Sequence, residues 1–162
     1  LTQCESDKQV ANDSAMRLPV NEVALTHPTR TKEHENKYVY TPFVMIDTSD
    51  DANQRSALAV DVVYTSNLAL ANTLSTLNAR NYFDQKEQLV KDYPNEVVMF
   101  SWEMPPGTRQ GKSLPALPEK GGRLYGFVFA DYLFPNEHRV RVNPAQNIYI
   151  HLKENAFSVR SF

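Results

Sequence analysis

Seven or eight short segments patterned for β-structure, divided by turn signals and interrupted once by a helical stretch, restrict this chain to two antiparallel sheets packed face to face. Residues 148–153 carry the clearest pattern: Ile148, Ile150 and Leu152 alternate with Tyr149, His151 and Lys153, as a strand wet on one side requires. Leu58, Val60, Val62 and Tyr64 alternate in the same way over residues 57–65. Residues 96–104 direct Val98, Phe100, Trp102 and Met104 to one face before Pro105, Pro106 and Gly107 end the run. Residues 124–130 are almost continuously apolar, which predicts a strand covered on both faces. Val140 and Val142, and then Phe157 and Val159, supply two further short strands. Leu114 and Leu117 lie in a proline-spaced stretch that is read as an extended edge. The first strand is assigned to residues 38–46, edge-placed or bulged at Pro42, which lacks the N–H that a central ladder needs.

Helical periodicity is confined to residues 68–92. Leu68, Leu70, Ala71, Leu74 and Leu77 predict a short helix; Ala79, Tyr82, Phe83, Leu89, Val90 and Tyr93 predict a second, N-capped by Asn78 and stopped near Asp92 by Pro94. Asp84, Lys86, Glu87 and Lys91 are read as a solvated stripe, and the pair of helices as a lid over one open end of the sandwich. Residues 1–37 carry no sustained apolar period and are read as a largely irregular tether, except that residues 19–26 carry apolar side chains suited to docking on the body; residues 38–162 form the sandwich domain. Without an initiator Met or a charged-then-apolar leader, the chain is read as a processed or truncated form.

Composition narrows the function. With 162 residues, 41% of them hydrophobic, the chain can bury one sizeable core without a metal or disulfide. Seventeen basic against nineteen acidic side chains, with no long run of either sign, argue against a polyanion partner. The usual arrangements of catalytic groups are missing from the pattern. No G-x-S-x-G elbow is present; His27, His34, His138 and His151 are dispersed without metal-ligand spacing; and Gly111–Lys112–Ser113 lacks the glycine frame of a phosphate loop. Neither an enzyme nor a cofactor or metal site is expected. Asp50 and Asp51 lie together in a polar segment without calcium-loop spacing.

Three features remain. The single cysteine, Cys4, follows Leu1, Thr2 and Gln3 in a pattern resembling the Leu-small-small-Cys lipobox of bacterial lipoproteins, with Gln3 a departure from the usual small residue; acylation of Cys4 would anchor the chain. Residues 47–55 (DTSDDANQR) form a polar, glycine-free loop between the first two strands, expected to be exposed. The helical insertion is the third. A competing reading is a small-ligand or glycan-binding sandwich with Trp102, Tyr125, Tyr132 and Tyr149 as an aromatic platform, set against core packing of the same rings.

In order, these elements resemble the TssJ family, the outer-membrane lipoproteins of bacterial type VI secretion systems. The resemblance runs over residues 38–159 and is that of a divergent member. It rests on the first strand, the polar loop with Asn53 and Arg55, the apolar-x-Tyr-x end of the second strand at Tyr64, and the helical stretch after it. Met104 before Pro106–Gly107, the apolar strand ending at Asp131, and the closing strand pair complete it. The departures are Ser56–Ala57 where a proline often opens the second strand, a long insertion, and a long tether. The resemblance implies a mainly β, two-sheet antiparallel β-sandwich (transthyretin-like) with a helical insertion after the second strand. It also implies a non-catalytic scaffold on the periplasmic face of the outer membrane, lipid-anchored at Cys4, that binds the periplasmic domain of the inner-membrane protein TssM. The family's first loop maps to Thr48, Ser49, Asp50, Asp51, Ala52, Asn53, Gln54 and Arg55. Arg55 is expected to make the strongest single contact, since its planar fork can pair a carboxylate through two bonds.

Overall fold

A computed structural model describes residues 31–33, 37–40, 42–118 and 123–162. Two four-stranded sheets form the body. The first has the order β11–β10–β3–β6, from β3 (Phe43–Thr48), β6 (Arg109–Ser113), β10 (Ile148–Leu152) and β11 (Phe157–Ser161). The second has the order β5–β4–β8–β9, from β4 (Leu58–Thr65), β5 (Val97–Met104), β8 (Tyr125–Ala130) and β9 (Arg139–Val142). A small third sheet joins β1 (Thr31–Glu33), β2 (Lys37–Tyr40) and β7 (Leu117–Pro118).

Period-two alternation builds the core between the sheets. Val44 and Ile46 of β3 and Ile148, Ile150 and Leu152 of β10 meet Leu58, Val60, Val62 and Tyr64 of β4 and Val128 and Ala130 of β8. Each of these side chains is at most 2% exposed. β3 and β10 pair in parallel, Val44 with Ile148 and Ile46 with Ile150, so the sandwich is antiparallel at every body pairing but this one.

The helices lie elsewhere than expected. α2 (Leu68–Leu74) and α3 (Ala79–Asp92) cover the outer face of the second sheet; they do not cap an open end. Leu70, Ala71, Leu74, Ala79, Tyr82 and Leu89 pack onto Val63, Phe127 and Phe129, the β4 and β8 residues that point away from the inter-sheet core. β8 is apolar throughout because it is buried on both sides. The predicted Asn78 cap holds, its side chain accepting from Asn81 N–H at 2.8 Å, and Asn67, not anticipated, caps the first helix by accepting from Leu70 N–H at 3.0 Å. α3 ends at Asp92, as Pro94 requires.

Lys86 is no part of a solvated stripe. Its Nζ reaches Asp61 Oδ2 at 2.9 Å, and the same oxygen accepts the Tyr82 hydroxyl at 2.7 Å. Asp61 is 1% exposed, so a carboxylate buried on the helix-facing side of β4 is satisfied by two groups from α3.

Three other expectations change. The strand assigned to residues 38–46 is two strands in two different sheets, with Pro42 between them. Within the expected tether, Thr31–Glu33 forms β1 and pairs antiparallel with β2; Cys4 and residues 19–26 lie outside the described residues. β6 was not anticipated, because all five of its residues are exposed and no apolar alternation marks it. Gly111 fits this edge strand for a steric reason: a Cβ there would come within 2.8 Å of Phe43 Cζ and 3.1 Å of Met45 Cε, whose side chains lie across it.

Candidate partner-binding site

The connection between β3 and β4 lies at one end of the sandwich. Strand β3 runs into it with Thr48, and three of the eight residues in question are not exposed as expected: Thr48 is 3%, Ala52 0% and Asn53 3% accessible. Their burial follows from how the loop is tied down. Thr48 N–H donates to Thr108 O at 2.9 Å, Ser49 N–H to Leu152 O at 2.9 Å, and Asn53 N–H to Glu154 O at 2.9 Å. Ser49 Oγ lies 2.9 Å from Asp51 Oδ1 and 3.1 Å from Leu152 O. On the other flank Gly107 N–H donates to Ser49 O at 3.1 Å, and Gly107 has φ +73°. That left-handed backbone is what favours glycine at this position; a Cβ there would also displace the exposed Asp50 carboxylate, whose Oδ1 would lie 2.6 Å away.

The helical turn α1 (Ala52–Arg55) is left-handed in its last three residues, Asn53 (φ 50°), Gln54 (φ 55°) and Arg55 (φ 64°). Left-handed backbone costs an L-residue roughly 1–2 kcal/mol, less for Asn. Asn53 opposes that cost with its side chain, donating from Nδ2 to Ala57 O at 3.0 Å and accepting the Leu133 N–H on Oδ1 at 2.8 Å. The consequence is a rigid turn with Gln54 and Arg55 directed to solvent. Strain held in place by surrounding bonds is common at binding sites. Asp50 and Asp51 are also exposed. Arg55 makes no ion pair among the described residues.

Beside the loop lies the β8–β9 connection, which the sequence reading did not single out. His138, at φ 49°, donates from Nε2 to Phe134 O at 2.6 Å and stacks on Tyr132 with ring centroids 4.5 Å apart. Tyr132 Oη in turn donates to Ala156 O at 2.8 Å and lies 3.0 Å from Lys153 O, and burial pushes its phenol above the ordinary value. The turn thus formed leaves Leu133 and Phe134 exposed above a groove of about 580 Å³. A sequence signal for it did exist: two large apolar residues before Pro135–Asn136, in a turn and not a strand.

Other candidates disperse. Trp102 packs on the inter-sheet core, Tyr125 on the helix-facing cluster, Tyr132 is buried, and Tyr149 bonds Asp47 at 2.9 Å on the outer face of the first sheet. The four rings therefore form no common platform. Among the described residues no three His, Cys, Asp or Glu side chains stand close enough to hold a metal ion, and no helix is long and apolar enough to cross a membrane.

No protein-family model and no curated protein matches the chain. Solved structures do. The lipoprotein TssJ1 of the Pseudomonas aeruginosa type VI secretion system superposes with a TM-score of 0.53 over 84% of this chain and 98% of that one, at 12% identity. The fold is that of the TssJ lipoproteins. Serratia marcescens Lip, a membrane-bound component of the type VI secretion system, shares it at a TM-score of 0.52, 11% identity, and coverage of 74% of this chain and 96% of that one. A chain in the structure of the TssM C-terminal domain (869–1107) from EAEC does so at 0.55 and 13% identity, covering 74% of this chain and 97% of that one. In this TssJ-like frame the left-handed turn and the Leu133–Phe134 connection lie side by side at one end of the sandwich.

Proposed function

We propose that this chain is the TssJ-type lipoprotein of a type VI secretion membrane complex. It is a non-catalytic scaffold, held at the periplasmic face of the outer membrane by acylation of Cys4, and it binds the periplasmic domain of a TssM-type inner-membrane protein through residues 48–55. The observation that carries this reading is the fold: 96–98% of each of three type VI secretion chains is covered by this one. The chain matched in the TssM structure is about 120 residues long, since 97% of it corresponds to 74% of the present 162; the named segment 869–1107 is roughly twice that. The likeness is therefore to a chain of TssJ size found with TssM. A clamped, strained turn whose Arg55 has no ion-pair partner among the described residues suits a partner surface, because little entropy is lost in ordering it.

Deleting the loop is a poor test, since Thr48, Ala52 and Asn53 are buried in the fold. The discriminating experiment measures binding of the purified TssM C-terminal domain to the unaltered chain and to a triple variant, Asp50→Ala, Gln54→Ala and Arg55→Ala. All three side chains are exposed, so the melting temperature should hold while affinity falls at least tenfold, as for loss of an interface hot spot. No binding by the unaltered chain rejects the TssM assignment. Full binding by the triple variant rejects the loop. Fatty-acid labelling of the precursor, lost in Cys4→Ser, tests the anchor.

A further inference from the structure

Of the side chains that carry the centre of a protein interface, residues 48–55 expose Arg55 and no aromatic or large apolar group. Binding energy concentrates in aromatic and large apolar side chains that enter pockets, with Arg at the same sites, whereas this loop exposes Asp50, Asp51, Gln54 and Arg55. The apolar surface lies on the neighbouring connection. Leu133 is 55% and Phe134 45% exposed, consecutive in sequence, while the other large exposed apolar residues among the described residues (Leu68, Val90, Val98 and Phe162) are single and lie elsewhere.

Three observations join this pair to the loop and say what fits it. Leu133 N–H is bonded to Asn53 Oδ1 at 2.8 Å, which makes the two segments one surface. The groove beside the pair is walled by Ala79, Tyr132, Leu133, Phe134 and Pro135, and its cation from the neighbouring helix, Arg80, has Nε 3.3 Å from Asp131 Oδ1. Such a groove favours an uncharged side chain. Arg55, by contrast, has no carboxylate partner among the described residues and invites one.

We infer that Leu133 and Phe134 are the apolar anchor of the TssM-docking surface, and that the partner segment carries an apolar side chain for the groove beside a carboxylate for Arg55. This rests on the function proposed above. The anchor is preorganised: the His138 bond to Phe134 O and the Ala79 N–H bond to Glu137 O at 2.7 Å hold the turn before a partner arrives.

The test is calorimetric titration of the full chain with purified TssM C-terminal domain. Phe134→Ala should weaken binding at least tenfold and Leu133→Ala with Phe134→Ala further, while Leu68→Ala, exposed on α2, leaves it unchanged. Leu133 and Phe134 are each about half exposed, so their truncation should lower the melting temperature only modestly, and affinities are compared at a temperature where every variant is folded. Unchanged affinity in the double variant, with the Asp50/Gln54/Arg55 variant impaired, overturns the anchor and leaves the loop assignment standing. Failure of the unaltered chain to bind overturns the TssM assignment, and the anchor with it.

Discussion

The side-chain oxygen of Asn53 accepts the backbone N–H of Leu133 at 2.8 Å, across 80 residues of chain. One amide thereby stabilises a left-handed turn in the first loop and fixes the β8–β9 connection against it. Both candidate contact segments depend on a side chain that is itself 3% exposed.

Asn53→Ala should therefore cost about 2–3 kcal/mol in urea unfolding, from two lost hydrogen bonds, a stranded Leu133 N–H and a non-Asn residue in left-handed backbone. Gln54→Gly should act in the opposite direction, by about 1 kcal/mol, since Gln54 holds φ 55° with no cap of its own. Equal stabilities for the two variants would contradict this account.

Lys86→Met should destabilise the fold by about 3 kcal/mol, the lower end for breaking a buried ion pair, because Lys86 keeps 28% of its side chain accessible while Asp61 keeps 1%. Replacing Asp61 by Asn in the same chain should restore part of the loss, since the uncompensated charge is then gone. Denaturant midpoints of the two variants measure the difference.

Gly126→Ala should cost about 1–3 kcal/mol by overpacking. Its Cβ would lie 2.9 Å from Val142 Cγ2, on the partly buried edge strand β9, and 3.0 Å from Cε1 of Tyr64, which is 1% exposed and packed in the core. A melting temperature equal to that of the unaltered protein would show that β9 yields more readily than this packing implies.

Tyr64 is the fourth test. Its hydroxyl is buried and has no hydrogen-bond partner among the described residues, and burial pushes the phenol up to about 12 from an ordinary 10.0. The folded state thus keeps this proton to higher pH than the unfolded chain does. The contribution is constant below pH 10 and is lost as pH rises from about 10 to about 12. Tyr64→Phe should be more stable at pH 7 by about 1 kcal/mol, through loss of an unpaired polar group, and should unfold less steeply in alkali. Burial also raises Tyr82 and Tyr132, so part of the alkaline loss remains in the variant.

The residues alone specified the elements whose pattern records burial: β4, β5, β10 and β11 by alternation on one face, α2 and α3 by period and α3 also by its Asn78 cap, and β8, covered on both faces, by unbroken apolarity. They also marked residues 48–55 as a polar connection between two strands. What only the tertiary structure decided is direction and neighbourhood. Alternation says which face of β3 and β10 is buried and nothing about their parallel pairing; β6 carries no pattern because an exposed edge strand needs none. Likewise, the placement of the helices on the second sheet's outer face, the pairing of Lys86 with Asp61, and the union of Asn53 with Leu133 are contacts between distant segments. Such contacts are set by the packing of whole sheets and helices against one another, and local spacing along the chain does not encode them.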